Sequence, residues 1–94
     1  MSSGHKPLGR TVVVSNPHGL HLRVASRIAQ LVRDGQCRAT LSCKGCAHAD
    51  GCSVMQMLAL GVTSGQVVTI SATGPDASEM VSQIAEVLTE GAGI

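Results

Sequence analysis

Hydrophobic and polar positions along the chain change period several times, and each change marks an element. The β-branched run 11-TVVVS-15, bounded by Asn16 and Pro17, predicts a strand. Past Gly19, the residues Leu22, Ala25, Ile28, Ala29 and Val32 recur at spacings of three and four. That is one face of an amphipathic helix, and Gly35 is placed to stop it just beyond Asp34. In 37-CRATLSC-43 the period drops to two, with Cys37, Ala39, Leu41 and Cys43 alternating with Arg38, Thr40 and Ser42, which predicts a half-buried strand. Lys44 and Gly45 read as a tight turn into a weaker strand, 46-CAHAD-50. A short helix is expected from Ser53 to about Leu60, carrying Val54, Met57 and Leu58 and ending at Gly61. The stretch 66-QVVTISA-72 is the clearest strand in the chain. Gly74 and Pro75 then open a last helix, in which Asp76 and Glu79 have capping-box spacing. Its apolar face is Met80, Val81, Ile84, Val87 and Leu88, and it runs to about Glu90.

The order is strand, helix, two strands, short helix, strand, long helix, without an internal repeat. Adjacent middle strands imply an antiparallel hairpin, so helices must cover one face of a mostly antiparallel sheet. The expected class is α+β in two layers. Residues 1–10 are expected to be a flexible leader, 11–90 one domain and 91–94 a tail.

Composition narrows what such a domain can do. The 94 residues include no Phe, Tyr or Trp, so the core must be built from Val, Leu, Ile, Met and Ala. Single-stranded nucleic acids are commonly held by stacking on aromatic rings, and a formal net charge of +1 supplies no basic field for a phosphate backbone. Nucleic acid is therefore not an expected partner. No run approaches the roughly 18 apolar residues of a membrane span, and MSSGHKPLGR lacks the apolar core of a signal peptide. A cytoplasmic, monomeric protein is expected, with its four cysteines as thiols or metal ligands rather than disulfides.

Candidate chemistry centres on 18-HGLHLRVAS-26, where His21 stands at the point at which the first helix begins. The first N–H groups of a helix have no partner within it, and with the helix dipole they make an anion site suited to phosphate. A neutral imidazole nitrogen is a nucleophile. A phosphoryl group taken onto His21 would sit against the amides of Leu22 and Arg23, with the Arg23 guanidinium able to reach the same oxygens. Gly19 would allow close backbone approach just before the helix. The plain alternative is that His21 is only a helix cap.

From about Thr11 to Glu90 the chain resembles the HPr family, the histidine-containing phosphocarriers of the bacterial sugar phosphotransferase system. The resemblance rests on 19-GLHLRVA-25, set beside the family's Gly-Leu/Ile-His-x-Arg-Pro-Ala signature, on 53-SVMQMLALGV-62, and on TSGQVVTISATGPD. It implies an open-faced β-sandwich, a four-stranded antiparallel sheet under three helices. By position it implies that His21 is phosphorylated on Nδ1 and that Arg23 stands beside the phosphate. The phosphoryl group would come from phosphoenolpyruvate-charged Enzyme I and leave to Enzyme IIA, so the protein would be a stoichiometric carrier, needing no cofactor. Ser53 matches the serine modified by HPr kinase/phosphorylase in many members, and its plain reading is an N-cap. Leu22, Val54, Met55 and Leu58 match the family's docking face. An HPr-like protein whose main work is regulatory, through Ser53 or protein docking, is the alternative the resemblance leaves open.

The chain departs from the family in two places. Val24 stands where the signature has proline, which restores an N–H donor near the phosphate site and gives up a fixed backbone angle. His18 stands where many members have Asn, and reads either as a loop residue or as a second titrating group near the phosphate. The cysteines fall at C-x5-C-x2-C-x5-C (Cys37, Cys43, Cys46, Cys52), with His48 between the last two. Zinc binding would use Cys43 and Cys46 with Cys52 or His48 completing the ligands, and redox sensing would use Cys43 and Cys46. Strand alternation instead puts Cys37 and Cys43 on the face of Leu41 as small hydrophobes, and no metal site is expected.

Overall fold

The computed structural model describes residues 8–43 and 48–90. In chain order these form β1 (Leu8–Val13), α1 (Leu22–Asp34), β2 (Arg38–Cys43), β3 (His48–Asp50), α2 (Val54–Ala59), β4 (Val67–Thr73) and α3 (Ala77–Glu90). The four strands make one antiparallel sheet in the order β1-β4-β2-β3. β4, the clearest strand in the sequence, thus lies inside the sheet, with β1 and β2 on its two sides. The register Leu41↔Ile70 and Val12↔Val68 sets the apolar positions of neighbouring strands side by side. Ala39, Leu41, Val68, Ile70 and Ala72 are all buried toward the helices. On the other face Val13 and Val67, paired in register, are 53% and 40% exposed, so that face is open.

The helices form the second layer. α3 packs on β1, β4 and β2 and against α1, and α2 packs on α1 and β3. The apolar stripe of α3 is buried as expected: Met80, Val81, Ile84, Val87 and Leu88. The core contains no aromatic ring. Its largest fully buried side chains are Ile28, Leu41, Met57, Ile70, Ile84 and Leu88. α2 ends as the sequence requires, with Leu60 as C-cap and Gly61 following at φ 66°.

Two expectations need correction. β1 begins at Leu8, not Thr11, so residues 8–10 of the expected leader are strand, paired with Ala72, Ser71 and Ile70. Backbone pairing with β4 carries the strand back through LGR, where side chains show no alternation. At its other end regular pairing stops at Val13. Val14 still donates to the Gln66 carbonyl (2.9 Å) and accepts from the Gly65 amide (2.7 Å). The second concerns Leu22, which the three-and-four spacing set on the apolar face of α1 and the resemblance set on a docking face; it is 62% exposed, as the second reading requires. At 100° per residue it lies about 90° from the centre of the stripe formed by Val24, Ala25, Ile28, Ala29 and Val32. The expected Lys44–Gly45 turn, Cys46, residues 1–7 of the leader and the 91–94 tail lie outside the described residues.

Candidate functional site

α1 begins directly behind a tight loop, and its N-cap is His21, with extended backbone (φ -100°, ψ -178°). The carbonyl of His21 accepts the first helical hydrogen bond, from Ala25 (2.9 Å). Its side chain turns back over the helix end, and Nδ1 accepts from the Arg23 amide at 3.3 Å. A backbone N–H can only donate, so Nδ1 carries the lone pair and the ring proton belongs on Nε2. Nε2 is sealed from solvent and has no hydrogen-bond partner. The two ring nitrogens are therefore unlike: Nδ1 is the basic one, set at the positive end of the helix, and Nε2 is closed to an incoming group.

The loop that brings His21 there is held by backbone contacts. Gly19 has φ 67°, and a Cβ on it would lie 2.7 Å from the Val62 carbonyl oxygen and 2.8 Å from Thr63 Cα. Leu20 donates to that same Val62 carbonyl (3.1 Å). Only glycine allows both the left-handed backbone and the close approach. The sequence assigned Gly19 this permissive role but gave no sign that residues 62–63 would be the surface it meets.

The structure also sets one of the departures from the family signature beside the ring. His18 and His21 stand edge to face, with ring centroids 5.6 Å apart and planes at 88°. His18 itself is exposed. The Arg23 side chain is also exposed, and what it contributes directly to the ring is its amide. Val24 is completely buried, so the residue in the proline position is part of the core. Leu22 and Val24 place their amides in the first turn, where the helix offers no carbonyl to receive them.

Ser53 is the N-cap of α2, its hydroxyl accepting from the Gln56 amide at 3.1 Å. Of the four residues matched to a docking face, Leu22 (62%), Met55 (80%) and Leu58 (36%) are exposed, and Val54 is partly buried against the core. They lie on α1 and α2, which pack against each other. Exposed apolar groups of this kind mark interaction surfaces when they cluster.

Cys37 and Cys43 are partly buried against the core, as the alternation of β2 predicts, and Cys52 is exposed. Burial pushes the Cys37 thiol above its ordinary range, and the carboxylate of Asp76 adds to this. Among the described residues, no group of three or more His, Cys, Asp or Glu is placed to hold a metal ion. Among them too, no helix is long and apolar enough to cross a membrane.

A two-layer open-faced sandwich with a histidine nitrogen held at a helix start defines a class of small phosphoryl-carrying domains. Residues 8–90 match the family model described as the PTS HPr component phosphorylation site. The chain is 34% identical over 86 residues to phosphocarrier protein HPr of Chlamydia muridarum, across 92% of this chain and 82% of that relative. The crystal structure of HPr-C-His from Thermoanaerobacter tengcongensis superposes with a TM-score of 0.82 at 26% identity, covering 93% of this chain and 97% of that one. HPr from Bacillus anthracis also gives a TM-score of 0.82, covering 88% and 98% of the two chains, and at 24% identity it shows the shared fold. The chain belongs to the HPr family of phosphocarriers of the phosphotransferase system.

Proposed function

We propose that this carrier works through His21, accepting a phosphoryl group on Nδ1 from phosphorylated Enzyme I and passing it to Enzyme IIA components. The observation that carries the reading is the asymmetry of the ring: Nδ1 lies against the Arg23 amide, and Nε2 is sealed. In the forward step Nδ1 gives up the hydrogen bond from the Arg23 amide, its lone pair forms the new bond to phosphorus as the bond from phosphorus to the donor breaks, and the freed amide turns to the phosphoryl oxygens. The proton on Nε2 stays in place, so accepting the group requires no base. The phosphoryl oxygens then stand at the helix start, where the amides of Leu22, Arg23 and Val24 and the helix dipole favour negative charge. The Arg23 guanidinium, free at the surface, is able to fold over the same oxygens. Exposed Leu22, Met55 and Leu58, with Val54 behind them, supply the surface on which donor and acceptor dock in turn.

The test is to incubate the purified protein with Enzyme I and phosphoenolpyruvate and measure intact mass before and after acid. One acid-labile phosphate that a His21→Ala variant never gains supports the reading, and an unmodified wild-type protein refutes it.

A regulatory reading has its own support in Ser53, a partly exposed hydroxyl beside Val54 and Met55. A phosphate there would add charge at the edge of the docking surface, at a helix start that tolerates it. Incubation with ATP and HPr kinase tests it, since an acid-stable phosphate absent from Ser53→Ala would support this route.

A further inference from the structure

Among the described residues Asn16 is the buried polar one, 3% exposed, and the carrier chemistry gives it no role. It stands two residues before His18 and its side chain is used at both ends. Its Nδ2 donates to the carbonyl of Gly19, and its Oδ1 accepts from the His18 amide (3.4 Å). The orientation of the amide is fixed by its partners, since a carbonyl only accepts and an N–H only donates. The Asn16 backbone carbonyl also accepts from the Gly19 amide (3.0 Å). The Gly19 carbonyl receives a second donor, the His21 amide at 3.1 Å. One carbonyl is thus shared between the Asn16 side chain and the backbone of the proposed phosphoryl acceptor.

We propose that Asn16 is a positioning residue for phosphoryl transfer: its buried amide fixes the Gly19 carbonyl and thereby holds the His21 ring with Nδ1 on the Arg23 amide. The inference rests on the carrier reading of His21 for its effect on rate, and on the geometry alone for its effect on the ring. Losing the clamp frees the 16–19 turn, which also carries the His18 ring that stands against His21. Misplacement of a reacting atom by about 1 Å costs up to a hundredfold in rate, so a loosened loop should cost roughly tenfold.

The experiment compares wild type with Asn16→Ala, Asn16→Asp and a control, Val81→Ala. The Asp variant fills the same space and keeps the acceptor for His18, but it sets an oxygen against the Gly19 carbonyl. Val81 lies on α3, 6% exposed and outside the 16–21 loop, and its truncation weakens the core. Two readouts are taken: the initial rate of phosphorylation by Enzyme I, and the ring nitrogen shifts of His21 by NMR. Both Asn16 variants are expected to accept phosphate about tenfold more slowly and to lose the Nδ1 hydrogen-bond signature. Val81→Ala is expected to melt earlier yet match wild type in both readouts. Unchanged ring shifts in the Asn16 variants would overturn the proposal, as would a Val81→Ala rate equally depressed. If wild type itself takes no phosphate, the carrier reading falls, and the ring shifts alone then decide whether Asn16 positions His21.

Discussion

Gly19 and Gly61 have nearly the same backbone conformation, φ 67° and 66°, in different surroundings. A Cβ on Gly61 would meet nothing within 4 Å, whereas one on Gly19 would lie 2.7 Å from the Val62 oxygen and 2.8 Å from Thr63 Cα. Replacing each by alanine therefore separates two costs that usually arrive together. The left-handed conformation costs an L-residue about 1–2 kcal/mol, partly offset because alanine restricts the unfolded chain. Gly61→Ala should lose about 1 kcal/mol for that reason alone. Gly19→Ala bears the same term plus the displacement of backbone that cannot move aside like a side-chain tip, for which overpacking in cores suggests a further ~1–3 kcal/mol. A total near 3 kcal/mol corresponds to a melting point lower by about 15 °C in a domain of this size, against about 5 °C for Gly61→Ala. Urea titration of both variants, with the slope checked for constancy, measures the difference directly. Equal losses at the two positions would refute the claim that the loop before His21 is wedged on residues 62–63.

Other outcomes follow from exposure and position. Met55→Glu, at a side chain 80% exposed, should leave stability within about 0.5 kcal/mol of wild type while weakening docking, seen as a raised KM for this protein in phosphorylation by Enzyme I. Val24→Pro should still fold, because an N–H in the first turn has no helical partner to lose. It removes one amide from the phosphoryl site, so the phosphohistidine should hydrolyse faster, and an unchanged lifetime would mean that the valine carries no functional consequence. Alkylation requires the thiolate, so Cys37, whose thiol is raised by burial and by Asp76, should label more slowly than exposed Cys52 and catch up only in alkali. The sign for stability follows. Folding favours the neutral Cys37 thiol, so its contribution is present below the ordinary thiol range and is lost as pH rises through the raised value. A Cys37→Ser variant should therefore show a smaller alkaline fall in urea midpoint than wild type.

The parts of this fold legible in the sequence are those in which side-chain burial imposes a period. β2 and β4 alternate because one face is covered, and α3 repeats at three and four because it lies on the sheet. Where backbone alone makes the contact, the pattern is silent: Leu8–Arg10 pair with β4 through main-chain groups, and nothing in LGR announces it. Leu22 falls at the edge of the apolar stripe, where the period alone set it with the core while the resemblance set it on an exposed docking face. At the site, His21, Arg23 and Gly19 stood out through a local argument about a helix start. Asn16 did not, because Asn before Pro reads as an ordinary turn residue and its partner carbonyl is set by the path of the chain. The wedge of Gly19 on Val62 was hidden for a related reason, since those residues meet only when two distant loops do. The edge-to-face placement of His18 belongs to the same turn.

The strand order has a consequence for how the molecule comes into being. β1 and β2 never touch each other in the sheet, because β4 lies between them, and Leu8 finds its partner only in Ala72. As the chain emerges from the ribosome, the first strand must wait until Val67–Thr73 have followed before it has anything to pair with. The β2–β3 hairpin alone exposes an edge that awaits β4, and distant pairings of this kind are slow to close. The His21 loop, wedged on residues 62–63, inherits the same delay. A ribosome-bound chain halted before Val67 should remain open to protease, and the sheet should close only once β4 has emerged.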